Sequence, residues 1–130
     1  MTRTLLVDDN TSFRTLMKDV LGTRFPSMVI AEAANSNEAM HQMCAAPPDI
    51  VLMDIELHDE SGLVLLKRIK KGFARITVIM LTDCDSIEFQ EEAARCGADY
   101  FFSKVKSKLD DVFSLVESLI PHVEKVQHVH

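Results

Sequence analysis

Five side chains suited to holding a divalent cation or a phosphoryl group stand far apart in the chain: the adjacent pair Asp8-Asp9, then Asp54, Thr82 and Lys104. Three of these positions directly follow short apolar runs: Leu5-Leu6-Val7, Val51-Leu52-Met53 and Ile79-Met80-Leu81. Lys104 comes soon after Tyr100-Phe101-Phe102. If the runs are neighbouring strands of one parallel sheet, the side chains meet at its carboxyl edge, where ligands bind in open α/β sheets. Three carboxylates brought together repel, and one would keep its proton unless a cation joined them. Hard oxygen donors without His or Cys suit Mg2+, which accepts one or two protein carboxylates and keeps several waters. With one divalent cation and Lys104, the three acids reach formal neutrality, so the site can accept a dianionic phosphoryl group. Taken singly, Asp8 reads as a turn or cap residue, Thr82 as a helix-start hydroxyl and Lys104 as a solvated charge. Their joint placement is what points to a site.

The chain supports such a sheet by alternating short apolar runs with segments of helical period, the pattern of βαβ units. Strands are expected at Thr4 to Val7, Met28 to Ala33, Ile50 to Met53, Ile76 to Leu81 and Tyr100 to Phe102. Phe13, Leu16, Val20 and Leu21 recur at helical spacing, as do Leu63, Leu66 and Ile69. The last helix is read from Leu109, Val112, Phe113, Val116, Leu119 and Ile120, with Pro121 ending it. Asn35 and Asp85 each precede a Glu by three residues, a capping pattern that marks helix starts. Gly22, Gly72 and Gly97 fall where helices should stop. The expected fold is α/β, a doubly wound (βα)5 unit around a five-stranded parallel sheet.

A chain of 130 residues with 47% hydrophobic and 26% charged residues, four glycines and four prolines suits one globular domain, and excludes disorder as its main state. A formal charge of −6 argues against direct binding of nucleic acid through phosphates. Cys44, Cys84 and Cys96 form no C-x-x-C pair and read as reduced thiols of a cytoplasmic protein. The first apolar run is too short for a signal peptide or a membrane span.

The text Leu5-Leu6-Val7-Asp8-Asp9-Asn10, then Asp49-Ile50-Val51-Leu52-Met53-Asp54-Ile55, Val78-Ile79-Met80-Leu81-Thr82, and Gly97-Ala98-Asp99 followed by Lys104 resembles the receiver domain of bacterial two-component response regulators, from about Thr4 to Ile120. That resemblance implies a flavodoxin-like sheet of strand order 2-1-3-4-5, with residues 1–120 as the receiver domain and 121–130 as a tail or linker stub. It implies that Asp54 accepts a phosphoryl group from a histidine kinase or a histidine phosphotransfer protein. Mg2+ would be held by Asp8, Asp9, Asp54 and the Glu56 backbone carbonyl, with Asp9 a direct ligand and Asp8 acting at least partly through water. Lys104 would pair with a phosphoryl oxygen, Thr82 would turn its hydroxyl toward the same group, and Phe101 would be the switch aromatic that rotates inward. A downstream protein or output domain, or a second copy of the chain, would read the face made by the fourth helix, fifth strand and fifth helix. Such a protein is a switch that catalyses only its own phosphorylation and dephosphorylation.

Three positions depart from the family pattern. Val105 and His58 stand where Pro is usual, and Asp83 follows Thr82 where a small residue is common. A trans peptide is therefore expected after Lys104. Asp83, Glu56, Asp59 and Glu60 together predict an acidic rim. Two other readings stay open on sequence: a receiver-like module that works by contact without phosphate, and a Mg2+-dependent hydrolase using an aspartyl phosphate, although the latter class usually carries D-x-D and a cap insertion. The basic stretch Lys67, Arg68, Lys70 and Lys71 reads as a solvated helix face. His41 with Cys44, and His128 with His130, are too few ligands for a metal site.

Overall fold

The computed structural model describes residues 1–83, 86–105 and 107–120, together with the backbone of 121–127. Cys84, Asp85, His128 and His130, which the sequence reading singled out, lie outside the described residues. Five strands, β1 (Arg3–Val7), β2 (Val29–Ala33), β3 (Ile50–Met53), β4 (Thr77–Thr82) and β5 (Tyr100–Ser103), alternate with α1 (Thr11–Arg24), α2 (Ser36–Ala45), α3 (Gly62–Gly72), α4 (Ile87–Arg95) and α5 (Leu109–Gln127). All strand pairs are parallel, in the order β2-β1-β3-β4-β5. The strand order reverses at β1, whose register sets Val7 beside Met53 of β3, so the Asp that follows each strand arrives at the same edge.

Side chains alternate across the sheet with period two, and two apolar clusters result. On one face Leu5, Val7, Val51, Met53, Val78 and Met80 pack with α2, α3 and α4 through Ala39, Met43, Leu65, Leu66, Ile69 and Ala93. On the other, Leu6, Leu52, Ile79 and Leu81 pack with Met17 and Leu21 of α1 and Val112, Phe113 and Val116 of α5. β3 is buried at all four residues, which is why its text is a continuous apolar run rather than an alternating one.

Several local expectations are corrected. In α1 Met17 is buried along with Leu21, while Leu16 is exposed; three- and four-residue steps both fit a 3.6-residue period, and packing decides between them. Gly22 does not end α1, because the helix continues to Arg24 and the Phe25 N–H still reaches the Leu21 carbonyl. Gly97 does follow a helix end, at φ 105°, a conformation open to Gly at little cost. α4 is capped by Ser86, whose hydroxyl accepts from the Phe89 N–H. Asn35 caps α2 as expected, accepting from the Glu38 N–H. α5 runs through Pro121 to Gln127: proline's φ is helical, so the chain can continue at the loss of one hydrogen bond. The basic stretch of α3 is not simply solvated, because Lys70 donates to the Ile76 carbonyl and pairs with Asp99 at 2.6 Å.

Candidate functional site at the carboxyl edge of the sheet

Backbone bonds that extend the strand ladders by one residue fix where the functional side chains leave the sheet. The Asp8 N–H donates to the Ala33 carbonyl, the Asp54 N–H to Val7, and the Lys104 N–H to Thr82. Past Asp8 the chain turns sharply: Asp8 Oδ1 accepts from the Asn10 N–H at 2.9 Å, and Asn10 Oδ1 in turn caps α1 by accepting from the Phe13 N–H. Arg14 steadies the same turn, donating to the Asp8 carbonyl at 2.6 Å while its Nε reaches Glu32. Val105 follows Lys104 without a cis peptide, and the loop is organised by Ser103, whose hydroxyl accepts from the Val105 N–H.

Lys104 is the centre of the arrangement. Its ammonium lies 2.6 Å from Asp8 Oδ2 and 3.1 Å from Asp54 Oδ2, with all three side chains at most 9% exposed. Burial pulls the Lys104 pKa down, but the hydrogen bond and charge of Asp8 and the charge of Asp54 outweigh it, so the net shift is upward. Burial raises the Asp8 carboxyl above its ordinary range, aided by the charge of Asp54 and opposed by Lys104 and the Asn10 N–H. The two shifts are compatible because one ammonium faces two carboxylates: the cation is doubly favoured, while each acid has half a partner. Negative charge is therefore in excess.

A hard divalent cation would answer that excess. Asp8, Asp9 and Asp54 each offer a carboxylate oxygen within 4.8 Å of the others, a donor set that fits Mg2+ in type and number. Asp9 is the most accessible of the three; among its contacts is the exposed His58, whose Nε2 lies 3.4 Å from Oδ2. The Glu56 N–H donates to Asp54 Oδ1 at 3.3 Å, while its side chain is exposed. Thr82 is fully buried at the end of β4, paired with Ser103. Phe101, one step back on the same sheet face and paired with Met80, is half-buried against the first cluster. The structure thus joins Asp8, Asp9, Asp54 and Lys104 directly and sets Thr82 and Phe101 on the adjacent strands.

The acidic rim is smaller than expected. Asp59 turns away to the start of α2, where its two oxygens accept from the Ser36 and Asn37 N–H groups at 3.0 Å. Those bonds hold its carboxyl below the ordinary range. Glu60 engages the Ser36 hydroxyl and Arg68. Asp83 and Glu56 remain exposed. The loop after Asp54 is therefore braced to α2.

Sequence reasoning missed Gly62, the first residue of α3. A Cβ there would collide with the Asp54 carbonyl oxygen and meet Ile55 Cα at 2.8 Å. Its N–H bonds the Ile55 carbonyl at 2.5 Å. The available signal was a Ser-Gly pair eight residues after an acidic strand end. It also missed Phe13, whose ring centroid lies 4.2 Å from Lys104 Nζ; on sequence Phe13 is one more apolar helix position.

Comparison with known proteins agrees with this geometry. Residues 4–116 match the family described as the response regulator receiver domain. The chain is 33% identical over 100 residues to the chemotaxis protein CheY of Halobacterium salinarum, covering 77% of this chain and 82% of that one. It is 29% identical over 122 residues to the DNA-binding transcriptional regulator NtrC of Salmonella typhimurium, covering 94% of this chain but 25% of that protein. Among several curated relatives, the chain spans 25% to 55% of their length. The crystal structure of the response regulator protein TrrA from Thermotoga maritima, in complex with Mg(2+)-BeF, superposes with a TM-score of 0.79 at 28% identity, over 92% of this chain and 99% of that one. The sheet order, the acid cluster beside an invading lysine, and a match over most of the chain lead to one assignment: this protein belongs to the response regulator receiver domain family of two-component signalling.

Proposed function

We propose that Asp54 is the phosphoryl acceptor and that phosphorylation depends on Mg2+ held by Asp8, Asp9, Asp54 and the Glu56 backbone carbonyl. The observation that carries this reading is the Lys104 ammonium lodged between the Asp8 and Asp54 carboxylates within the three-acid cluster. An Asp54 oxygen attacks the phosphorus of a phosphohistidine on a histidine kinase or phosphotransfer protein. The P–N bond breaks, and the imidazole leaves with the electron pair and takes up a proton. When bound, Mg2+ supplies positive charge to the phosphoryl oxygens, and Lys104 supplies the rest. The chain catalyses no reaction beyond its own phosphorylation and dephosphorylation.

The output follows from the neighbours of the site. A Thr82 hydroxyl drawn toward the phosphoryl group vacates space on the sheet face that it shares with Phe101, and the Phe101 ring turns inward, favoured by burial of its apolar surface. The face of α4, β5 and α5 then changes. It already exposes Ile87, Phe89, Tyr100 and, in the loop after β5, Val105, apolar residues suited to a downstream protein, an output domain or a second copy of the chain. Residues 1–120 act as the receiver unit, with 121–130 as a tail or linker. The setting is the cytoplasm, where such donors reside; among the described residues no helix is long and apolar enough to cross a membrane.

Acetyl phosphate can replace the protein donor in a test. Phosphorylation is expected to stop when Mg2+ is chelated, and Asp9→Ala is expected to raise the Mg2+ needed for half-maximal labelling by about tenfold or more. Asp8→Ala should shift it less, because both Asp8 oxygens are already engaged, by Lys104 and the Asn10 N–H. Equal Mg2+ dependence in both variants and the parent would remove these acids from the metal site.

A further inference from the structure

We propose that Phe13 is a positioning residue for Lys104, its aromatic face serving as the third partner of the ammonium, and that this contact sets how well the site holds a phosphoryl group. The inference rests on the assignment of Lys104 to the phosphoryl oxygens. The geometry is specific. Two of the ammonium's directions are taken by Asp8 Oδ2 and Asp54 Oδ2, and the Phe13 ring lies 4.2 Å away at its centroid. The Lys104 side chain is 9% exposed, so little water is available to solvate that flank. A ring face there attracts the cation through its quadrupole.

The choice of an aromatic makes chemical sense at this position. A carboxylate would also hold the ammonium, but it would add negative charge to a site that must accept a dianion. An aliphatic side chain would leave one flank of a buried cation uncompensated. The ring attracts without carrying net charge and offers no lone pair that competes with the phosphoryl oxygens, so the lysine can swing from Asp54 to the phosphoryl group while keeping this partner. Phe13 is itself fixed in place: its N–H donates to Asn10 Oδ1 in the cap of α1, directly after the Asp8-Asp9 pair. Its side chain packs on the apolar cluster that includes Met17 and Leu81. The segment that carries the acids thus also carries the platform for the lysine.

The test uses the full chain with Mg2+ at saturation and beryllium fluoride as the phosphoryl mimic. Binding is measured for the parent, Phe13→Leu, Phe13→Tyr, Lys104→Met, and chains carrying phenylalanine of increasing ring fluorination at position 13. Fluorination weakens the quadrupole while keeping the shape of the ring. Phe13→Leu is expected to weaken beryllofluoride binding by about tenfold, and Phe13→Tyr to stay close to the parent. Affinity should fall stepwise with each added fluorine, while Mg2+ affinity measured alone stays constant across the series. A flat fluorination series, or parental binding by Phe13→Leu while Lys104→Met has lost it, would overturn the proposal and leave the role of Lys104 standing. Parental binding by Lys104→Met would overturn that role and the proposal with it.

Discussion

Gly62→Ala is expected to destabilise the protein by about 3 kcal/mol or more and to displace Asp54. The magnitude follows from what the added methyl meets. Overpacking against side chains typically costs about 1–3 kcal/mol because rotamers can adjust, but here the obstacles are the carbonyl of Asp54 and the Cα and carbonyl of Ile55. Backbone cannot yield by rotating a side chain. Either α3 retreats, losing the bond from its first N–H to Ile55 and part of the packing of Leu65 and Leu66, or the end of β3 moves and takes Asp54 with it. Urea unfolding followed by circular dichroism measures the loss, and Mg2+ titration of the remaining folded protein measures the displacement. A variant within about 0.5 kcal/mol of the parent would contradict the close approach.

Lys104→Met is expected to destabilise the cation-free protein by about 3–5 kcal/mol, the range for removing one partner of a buried charge cluster. Methionine keeps most of the apolar stem, so the loss is chiefly that of the ammonium between Asp8 and Asp54. The raised pKa of Lys104 gives the pH sense: its contribution is complete below the ordinary lysine range and disappears only as pH rises through the higher folded value, so neutral buffer shows it in full. Two relief routes should work. Saturating Mg2+ is expected to supply positive charge to the same carboxylates, and a second change, Asp8→Asn, removes one of the charges left behind. Either should recover much of the loss. A single variant as stable as the parent in chelator, or a double variant no better than Lys104→Met, would show that the three groups are not coupled.

These expectations also show which parts of the site were legible in the sequence. Asp8, Asp9, Asp54 and Lys104 were legible because an apolar run followed by a charged residue has a direct geometric meaning in a parallel sheet. The order of the strands came from resemblance, since the runs themselves do not state which neighbours they take. Gly62 was not legible in the same way: its requirement comes from the path of another segment, eight residues earlier, passing within contact distance. Asp59 and Glu60 looked like rim charges because sequence records their sign and not their direction, and the open N–H groups of α2 claim one of them. Phe13 was hidden by being apolar at a helical spacing, where burial is the ordinary explanation. Leu16 and Met17 could not be separated, because adjacent residues on a helix differ by only 100° and the neighbouring sheet decides which one is covered.

The most direct test of the account is the intact mass of the chain after incubation with acetyl phosphate and Mg2+, compared between the parent and Asp54→Asn. The parent should gain the mass of one phosphoryl group, lose it on treatment with hydroxylamine as an acyl phosphate does, and show no gain in chelator, while Asp54→Asn should show no gain under any condition. Modification of Asp54→Asn at the parental rate, or a stable parental modification indifferent to hydroxylamine and to Mg2+, would contradict the assignment of Asp54 as the acceptor.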